Sequence, residues 1–90
     1  MFLFTGIIFK ENEVFCSLCP ELDVASVGDT PEAAKAMLLE AATLHLEGTI
    51  EDGLPYLRPV PEAEDPRQTA PEAIVAVFHF KVDIAVHAYA

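Results

Sequence analysis

The sequence predicts an α+β domain in which one helix packs across a small antiparallel sheet, with the element order β-β-β-α-β. Three observations support this prediction. Two apolar segments near the N-terminus flank a polar turn, a helix start signal precedes a segment with helical spacing, and residues 74 to 88 alternate in character. Ninety residues fit one domain, 1–90, with a core at 2–48, a connection at 49–72 and a C-terminal strand at 73–89.

The first three strands are predicted from their composition and their breaks. Residues 2–10 are rich in Phe and Ile, and Lys10 to Glu13 supply a polar turn before a second strand, Val14 to Cys19. Pro20 and Glu21 interrupt the pairing because proline has no N–H to donate. A short third strand then runs from residue 24 to residue 27.

The helix start is marked residue by residue. Thr30 can cap the helix by accepting a hydrogen bond from the first turn, and Pro31 fits the first helical position. Asp29 and Glu32 place negative charge at the positive end of the helix dipole. We expect the helix to end at Gly48.

The helix carries two apolar stripes. At 100° per residue, one face holds Ala34, Met37, Leu38, Ala41, Leu44 and His45. Leu39 and Leu46 lie well away from that face, seven residues apart. A helix that covers a sheet needs one stripe, so this second pair either borders the same core or contacts another chain.

The connection at 49–72 holds five of the seven prolines and has little periodicity. We expect an exposed segment with an acidic tip at residues 62 to 65. Loops of this length inside a compact domain are uncommon, and they are often functional or flexible.

The last segment alternates without interruption over fifteen residues, which is far longer than an ordinary strand. Its first half is predicted to complete the sheet. Its second half is predicted to reach a neighbouring subunit through Val82, Ile84 and Val86, because that contact would hide an exposed sheet edge.

The composition of the chain argues against some classes of function and favours others. A formal net charge of −10 argues against nucleic-acid binding, which needs clustered Lys and Arg. A hydrophobic content of 52% exceeds the needs of one small core and favours a homo-oligomer, a dimer or a tetramer. The apolar N-terminus is too short to span a membrane and lacks signal-peptide features, so we expect a cytoplasmic protein with reduced cysteines.

No combination of residues predicts catalysis, a metal or a cofactor. Cys16 and Cys19 have Cys-x-x-Cys spacing, but in a strand they point to opposite faces, and no second pair completes a zinc site. His79 and His87 are about 26 Å apart along a straight strand, and His45 fits a core-edge histidine. We expect no enzyme activity.

One continuous stretch carries a resemblance to a known family. Cys19-Pro20-Glu21-Leu22, a short strand, then Gly28-Asp29-Thr30-Pro31 before an acidic, alanine-rich helix resemble the N-terminal domain of HicB-like antitoxins. The resemblance covers roughly residues 2 to 53, and it rests on both motifs at this spacing.

This resemblance implies a truncated ribonuclease H-like fold that has lost its metal-bound carboxylates. Asp23 and Asp83 are the nearest candidates, and two acids without a third do not form a two-metal site. The family role implied is neutralisation of a small basic, HicA-like toxin that cleaves messenger RNA. The acids expected to face such a toxin are Glu47, Glu51, Asp52, Glu62, Glu64 and Asp65.

Two functions remain open from the sequence. The chain has no basic patch or helix pair resembling the DNA-binding module of full-length antitoxins, so we expect no operon repression by this polypeptide alone. The competing function is a homo-oligomeric binding or scaffold domain of the same fold without a toxin partner. Leu39, Leu46 and the end of the last strand favour self-association, whereas the acidic surface favours a different partner.

Overall fold

The computed structural model describes residues 2–55 and 57–82. Its elements are β1 (Phe2–Glu11), β2 (Val14–Cys19), β3 (Val24–Gly28), α1 (Pro31–Glu51), α2 (Pro66–Thr69) and β4 (Ile74–Val82), with single 3-10 turns at Glu62–Glu64 and Pro71–Ala73. The four strands form one antiparallel sheet in the order β3-β2-β1-β4, and α1 packs across one face. The predicted α+β class and element order are confirmed.

A tight turn joins β1 to β2. Glu11 pairs with Val14, which leaves only Asn12 and Glu13 in the turn. Asn12 has a φ of 58°, in the left-handed region that asparagine tolerates and that two-residue hairpins require. The hairpin is confirmed, with a shorter turn than the sequence predicts.

The Cys19–Leu22 motif ends the pairing of β2 with β1. The register places Ile7 opposite Leu18, so Thr5 of β1 would next face Pro20, which has no N–H. The carboxylate of Glu21 accepts hydrogen bonds from the Thr5 backbone N–H at 3.1 Å and the Thr5 hydroxyl at 2.7 Å. The side chain of Glu21 therefore replaces the missing strand partner.

The helix begins as predicted. The Thr30 hydroxyl accepts a hydrogen bond from the Ala33 N–H at 3.0 Å, and Pro31 occupies the first turn. Gly28, which ends β3, lets the first turn approach closely, because a Cβ there would lie 2.5 Å from the backbone nitrogen of Ala34. The motif Gly28-Asp29-Thr30-Pro31 thus caps α1 and sets it against β3.

The predicted helix end at Gly48 is wrong. The helix continues to Glu51 and closes where Gly53 adopts a φ of 69°. The N–H of Leu54 donates to the Thr49 carbonyl, and the N–H of Gly53 donates to the Ile50 carbonyl. This is a Schellman motif, which needs a residue in the left-handed region, so Gly53 and not Gly48 is the stop.

The predicted core face of the helix is also wrong in part. Met37 and Leu44 are 47% and 61% exposed, whereas Leu46 is completely buried in the core and Leu39 packs against it. The side chains that are buried recur every four residues and are Ala34, Leu38, Ala42 and Leu46. Leu46 therefore stabilises the monomer and has no surface to offer a second chain.

The connection covers part of the sheet face opposite α1. The N–H groups of Arg58 and Val60 donate to the carbonyls of Glu21 and Pro20, which ties the chain to the edge of the motif. Ile7 and Leu18 form a cross-strand pair outside the α1 core, and both are buried. Part of the hydrophobic content that exceeds the needs of the α1 core is therefore buried within one chain rather than between chains.

The described part of the last strand belongs to the parent sheet. Val82 pairs with Phe2 and is buried in the core beside Phe80 and Phe4, and its predicted role in self-association stays a prediction. Ile84 and Val86 lie outside the described residues, and the overhang into a neighbour stays a prediction. Across residues 2–55 and 57–82, the structure contains no helix with the length and apolarity needed to cross a membrane.

Candidate protein-binding surface

The solvent face of α1 carries a continuous stripe of mixed character. Its members recur at alternating spacings of three and four residues, are all exposed, and are Met37, Glu40, Leu44, Glu47 and Glu51. Leu44 thus lies between Glu40 and Glu47 on one helix face, and Met37 lies one turn before Glu40. We call these five residues the α1 stripe. Exposed apolar groups next to carboxylates suit the docking of a cationic protein.

The C-terminal half of the α1 stripe is charged against the helix dipole. Glu47, Glu51 and the capping residue Asp52 lie at the negative end of the helix, and its last turn contains no basic residue. Each carboxylate costs about 0.3–1 kcal/mol in that position, and Glu47 and Glu51 also repel each other at i,i+4 spacing. The helix sequence is therefore not optimised for its own stability here.

The chain beyond α1 extends the apolar part of this surface. The Schellman motif folds Leu54 back over the last turn, and both Leu54 and Leu57 are more than half exposed. Two exposed leucines thus follow a helix end that is enriched in acids.

The acidic tip divides into exposed and buried carboxylates. Glu62 and Glu64 are exposed in the 3-10 turn. Asp65 is buried: it caps α2 by accepting from the Arg67 N–H at 2.9 Å, and it forms a salt bridge with the Arg67 guanidinium at 2.8 Å. These hydrogen bonds from Arg67 hold the pKa of Asp65 below its ordinary value. Asp65 therefore stabilises the fold of the connection, and its predicted role in binding a toxin stays a prediction.

The two cysteines occupy environments that suppress thiol reactivity. Burial, and then the nearby Glu21 carboxylate, raise the pKa of Cys19 to about 12. Partial burial and the neighbouring Glu11 carboxylate also raise the pKa of Cys16. A nucleophilic or metal-binding thiol needs a lowered pKa. The surroundings of both thiols in this structure raise their pKa values instead.

The histidines and acids among the described residues were the candidates for a metal site. Within residues 2–55 and 57–82, no group of three His, Cys, Asp or Glu side chains is placed to hold an ion. Asp23 lies in the β2–β3 turn with a φ of 53°, and Asp83 and His87 lie outside the described residues. His45 has a buried Nε2 without a hydrogen-bond partner in the described structure, on the helix side away from the α1 stripe's centre.

A groove of about 510 Å³ separates the outer sheet face from the connection. Its lining is mostly apolar and includes Phe9, Cys16, Leu18, Val27, Pro66 and Ala70. The charged residues of its lining are Lys10, Glu11 and Glu64, and all three are exposed.

The architecture defines a class: a small α+β domain with a four-stranded antiparallel sheet, one long helix, and a folded connection on the opposite face. The same fold occurs in the N-terminal domain of the antitoxin HicB from Burkholderia pseudomallei. That crystal structure superposes with a TM-score of 0.67 and 24% identity, covering 92% of this chain and 100% of that domain. No family model and no curated protein matches the sequence.

This similarity confirms the predicted antitoxin-domain resemblance at the level of the fold. Five carboxylates predicted to face a toxin are exposed at the end of α1 or in the acidic tip, and they are Glu47, Glu51, Asp52, Glu62 and Glu64. Met37 and Leu44 are predicted from the sequence to face the core, and the structure exposes both. Their spacing with Glu40, Glu47 and Glu51 at alternating three and four residues is the signal that identifies the α1 stripe.

Proposed function

We propose that this protein is an antitoxin-type protein that binds and neutralises a small basic toxin that cleaves messenger RNA. The observation that carries the proposal is the α1 stripe, in which Met37 and Leu44 stand exposed among carboxylates on a fold shared with an antitoxin domain. The proposed activity is binding and not catalysis.

The chemistry of the stripe supports a basic protein partner. Met37 and Leu44 provide apolar contact area, and a methionine adapts its shape to different partner surfaces. Glu40, Glu47 and Glu51 place negative charge on the same helix face, which speeds the encounter with a cationic partner and rejects anionic ones. With Asp52 close to the same helix end, the surface is complementary in sign to a toxin of the HicA-like kind.

The test is co-expression with the protein encoded by the adjacent gene, followed by affinity capture of this chain. We expect capture of a small basic protein, and growth arrest when that neighbour is expressed alone. Met37→Asp with Leu44→Asp should abolish capture, because it removes both apolar contacts. Val14→Asp is the matched control, since Val14 is an exposed apolar residue of β2 outside the stripe.

The competing function is a homo-oligomeric binding or scaffold domain without a toxin partner. The exposed valines of β4 favour self-association. The results that bear on this function are recovery of this chain alone, with no second protein, and normal growth when the neighbouring gene is expressed alone. Those two results together would favour this function and contradict the antitoxin proposal.

A further inference from the structure

Gly48 has no structural role in the helix that contains it. It lies inside α1, does not adopt a positive φ, and is exposed. Apart from its chain neighbours and the helix backbone, a Cβ added there would meet nothing within 4 Å, and Gly53 supplies the positive φ that ends the helix. A glycine inside a helix lowers its stability relative to alanine. Gly48 therefore carries a cost that neither turn geometry nor packing explains.

The missing side chain leaves an open notch on the solvent face of α1. Residues three and four apart are neighbours on a helix surface, so Leu44 lies one turn before Gly48, and Glu51 and Asp52 lie one turn after it. All three are exposed. We call these four residues the Gly48 notch. It has an apolar side chain at one end, two carboxylates at the other, and bare helix backbone between them.

The Schellman motif leaves the Gly48 notch uncovered. In this motif the residue after the positive-φ glycine, here Leu54, commonly packs on an apolar side chain in the last turns of the helix. The residues at those positions are Gly48 and Thr49, which offer no large apolar group. Leu54 and Leu44 thus remain 56% and 61% exposed at this end of α1.

We propose that the Gly48 notch receives a basic side chain, arginine or lysine, of the cationic protein partner. The inference rests on the proposed function and specifies how the end of the α1 stripe recognises that partner. The aliphatic stem of the basic side chain lies across Gly48 against Leu44. Its charged group reaches the carboxylates of Glu51 and Asp52, where the negative end of the helix dipole also attracts a cation.

Charge and shape together identify the occupant. The last turn of α1 has no basic residue, and within residues 2–55 and 57–82 no Lys or Arg forms a salt bridge with Glu47, Glu51 or Asp52. These carboxylates favour a cation over a neutral or acidic group. The exposed Leu44 favours a cation with a methylene stem that can cover it, which a small ion lacks. A long basic side chain meets both requirements.

Filling the notch tests the inference without weakening the fold. Gly48→Gln adds a neutral side chain that favours helix more than glycine does, so the equilibrium constant for unfolding should fall about threefold in chemical denaturation. The affinity for the basic protein encoded by the adjacent gene should fall at least about tenfold, because the added side chain occupies the notch. Ala36→Gln is the control, exposed on the same helix about 18 Å away along its axis, and should leave the affinity unchanged.

The outcomes separate this inference from the proposed function. If the wild type binds the basic protein and Gly48→Gln binds it equally well, or Ala36→Gln loses as much affinity, the inference is wrong and the proposed function stands. A less stable Gly48→Gln would show that Gly48 has a structural role, which also contradicts the inference. If the wild type captures no basic protein, both fail.

A double-mutant cycle tests whether one partner side chain spans the notch. Glu51→Gln should weaken binding in the wild type but change little in Gly48→Gln, because the basic side chain that contacts Glu51 is already displaced. Glu40→Gln, about two turns before Gly48 on the α1 stripe, should have the same effect in both backgrounds. Equal effects of Glu51→Gln in the two backgrounds would refute the shared contact.

Discussion

At the scale of single residues, Glu21 explains why the Cys19–Leu22 motif has its composition. Pro20 ends the β2 ladder, Glu21 supplies the acceptors that Thr5 would lose, and Leu22 enters the core. The sequence identifies this motif but not its mechanism, because the partner of Glu21 lies sixteen residues earlier in another strand. A contact between distant residues has no local pattern in the sequence.

Replacing Glu21 should show how much this carboxylate contributes. Glu21→Ala leaves the buried Thr5 N–H without an acceptor, so we expect the free energy of unfolding to fall by about 1–3 kcal/mol. Glu21→Gln should cost less, because its amide oxygen still accepts from that N–H. Chemical denaturation measures both. Glu62→Ala, which removes an exposed carboxylate, is the control, and an equal loss in all three variants would contradict the assigned role.

Cys19 should make stability depend on alkaline pH. Its pKa in the folded state is about 12, above the ordinary thiol value of about 8.5, so the unfolded chain loses this proton first. The stabilisation is complete below the ordinary value and is lost as the pH rises towards 12, with a slope of up to about 1.4 kcal/mol per pH unit. Denaturation from pH 8 to pH 11 should show a steeper decline for the wild type than for Cys19→Ala. Parallel curves would contradict this prediction.

At the scale of elements, α1 shows what local sequence can and cannot decide. Its start follows from Thr30 and Pro31, which act on neighbouring backbone groups, and was predicted correctly. Its end is predicted wrongly, because two glycines lie near the end of the helix and the sequence does not show that Gly53, and not Gly48, adopts the positive φ of the Schellman motif. Its buried face was predicted poorly, because apolar residues surround most of the helix and only the sheet selects Leu38 and Leu46 over Leu44.

The helix cap provides a test of this element alone. Thr30→Ala removes the acceptor of the Ala33 N–H and should lower the free energy of unfolding by about 1 kcal/mol. Thr30→Ser retains a hydroxyl and should restore most of that loss. The denaturation midpoint measures the effect, and an unchanged midpoint in Thr30→Ala would show that the cap does not contribute.

Reversing charges at the end of α1 should separate stability from function. Glu47→Lys with Glu51→Lys complements the helix dipole and removes the repulsion between the two glutamates, so thermal stability should rise by about 1 kcal/mol. The same variant should lose capture of the basic partner. If stability and capture fell together, the loss of binding would be explained by unfolding, and the role of these acids in the α1 stripe would lose support.

At the scale of the whole molecule, the sequence predicts the sheet and its covering helix but not the use of the second sheet face. The connection reads as an exposed loop because its prolines and acids lack periodicity. Asp65 and Arg67 nevertheless pair within it, and Arg58 and Val60 bond to the Pro20–Glu21 backbone. The position of Val82 in the core also means that Val82→Lys would disrupt the monomer, so it cannot report on self-association.

The carboxylates of the α1 stripe lead to a prediction about how binding depends on salt. Association of the α1 stripe with a basic protein should weaken as ionic strength rises, because exposed charges are screened beyond about 8 Å at 0.15 M. Glu47→Gln with Glu51→Gln should reduce that salt dependence. Glu13→Gln, in the β1–β2 turn at the end of the sheet where α1 begins, should leave it unchanged. Affinity measured from 50 to 500 mM salt tests this, and a flat profile for the wild type would remove the electrostatic basis of the proposed function.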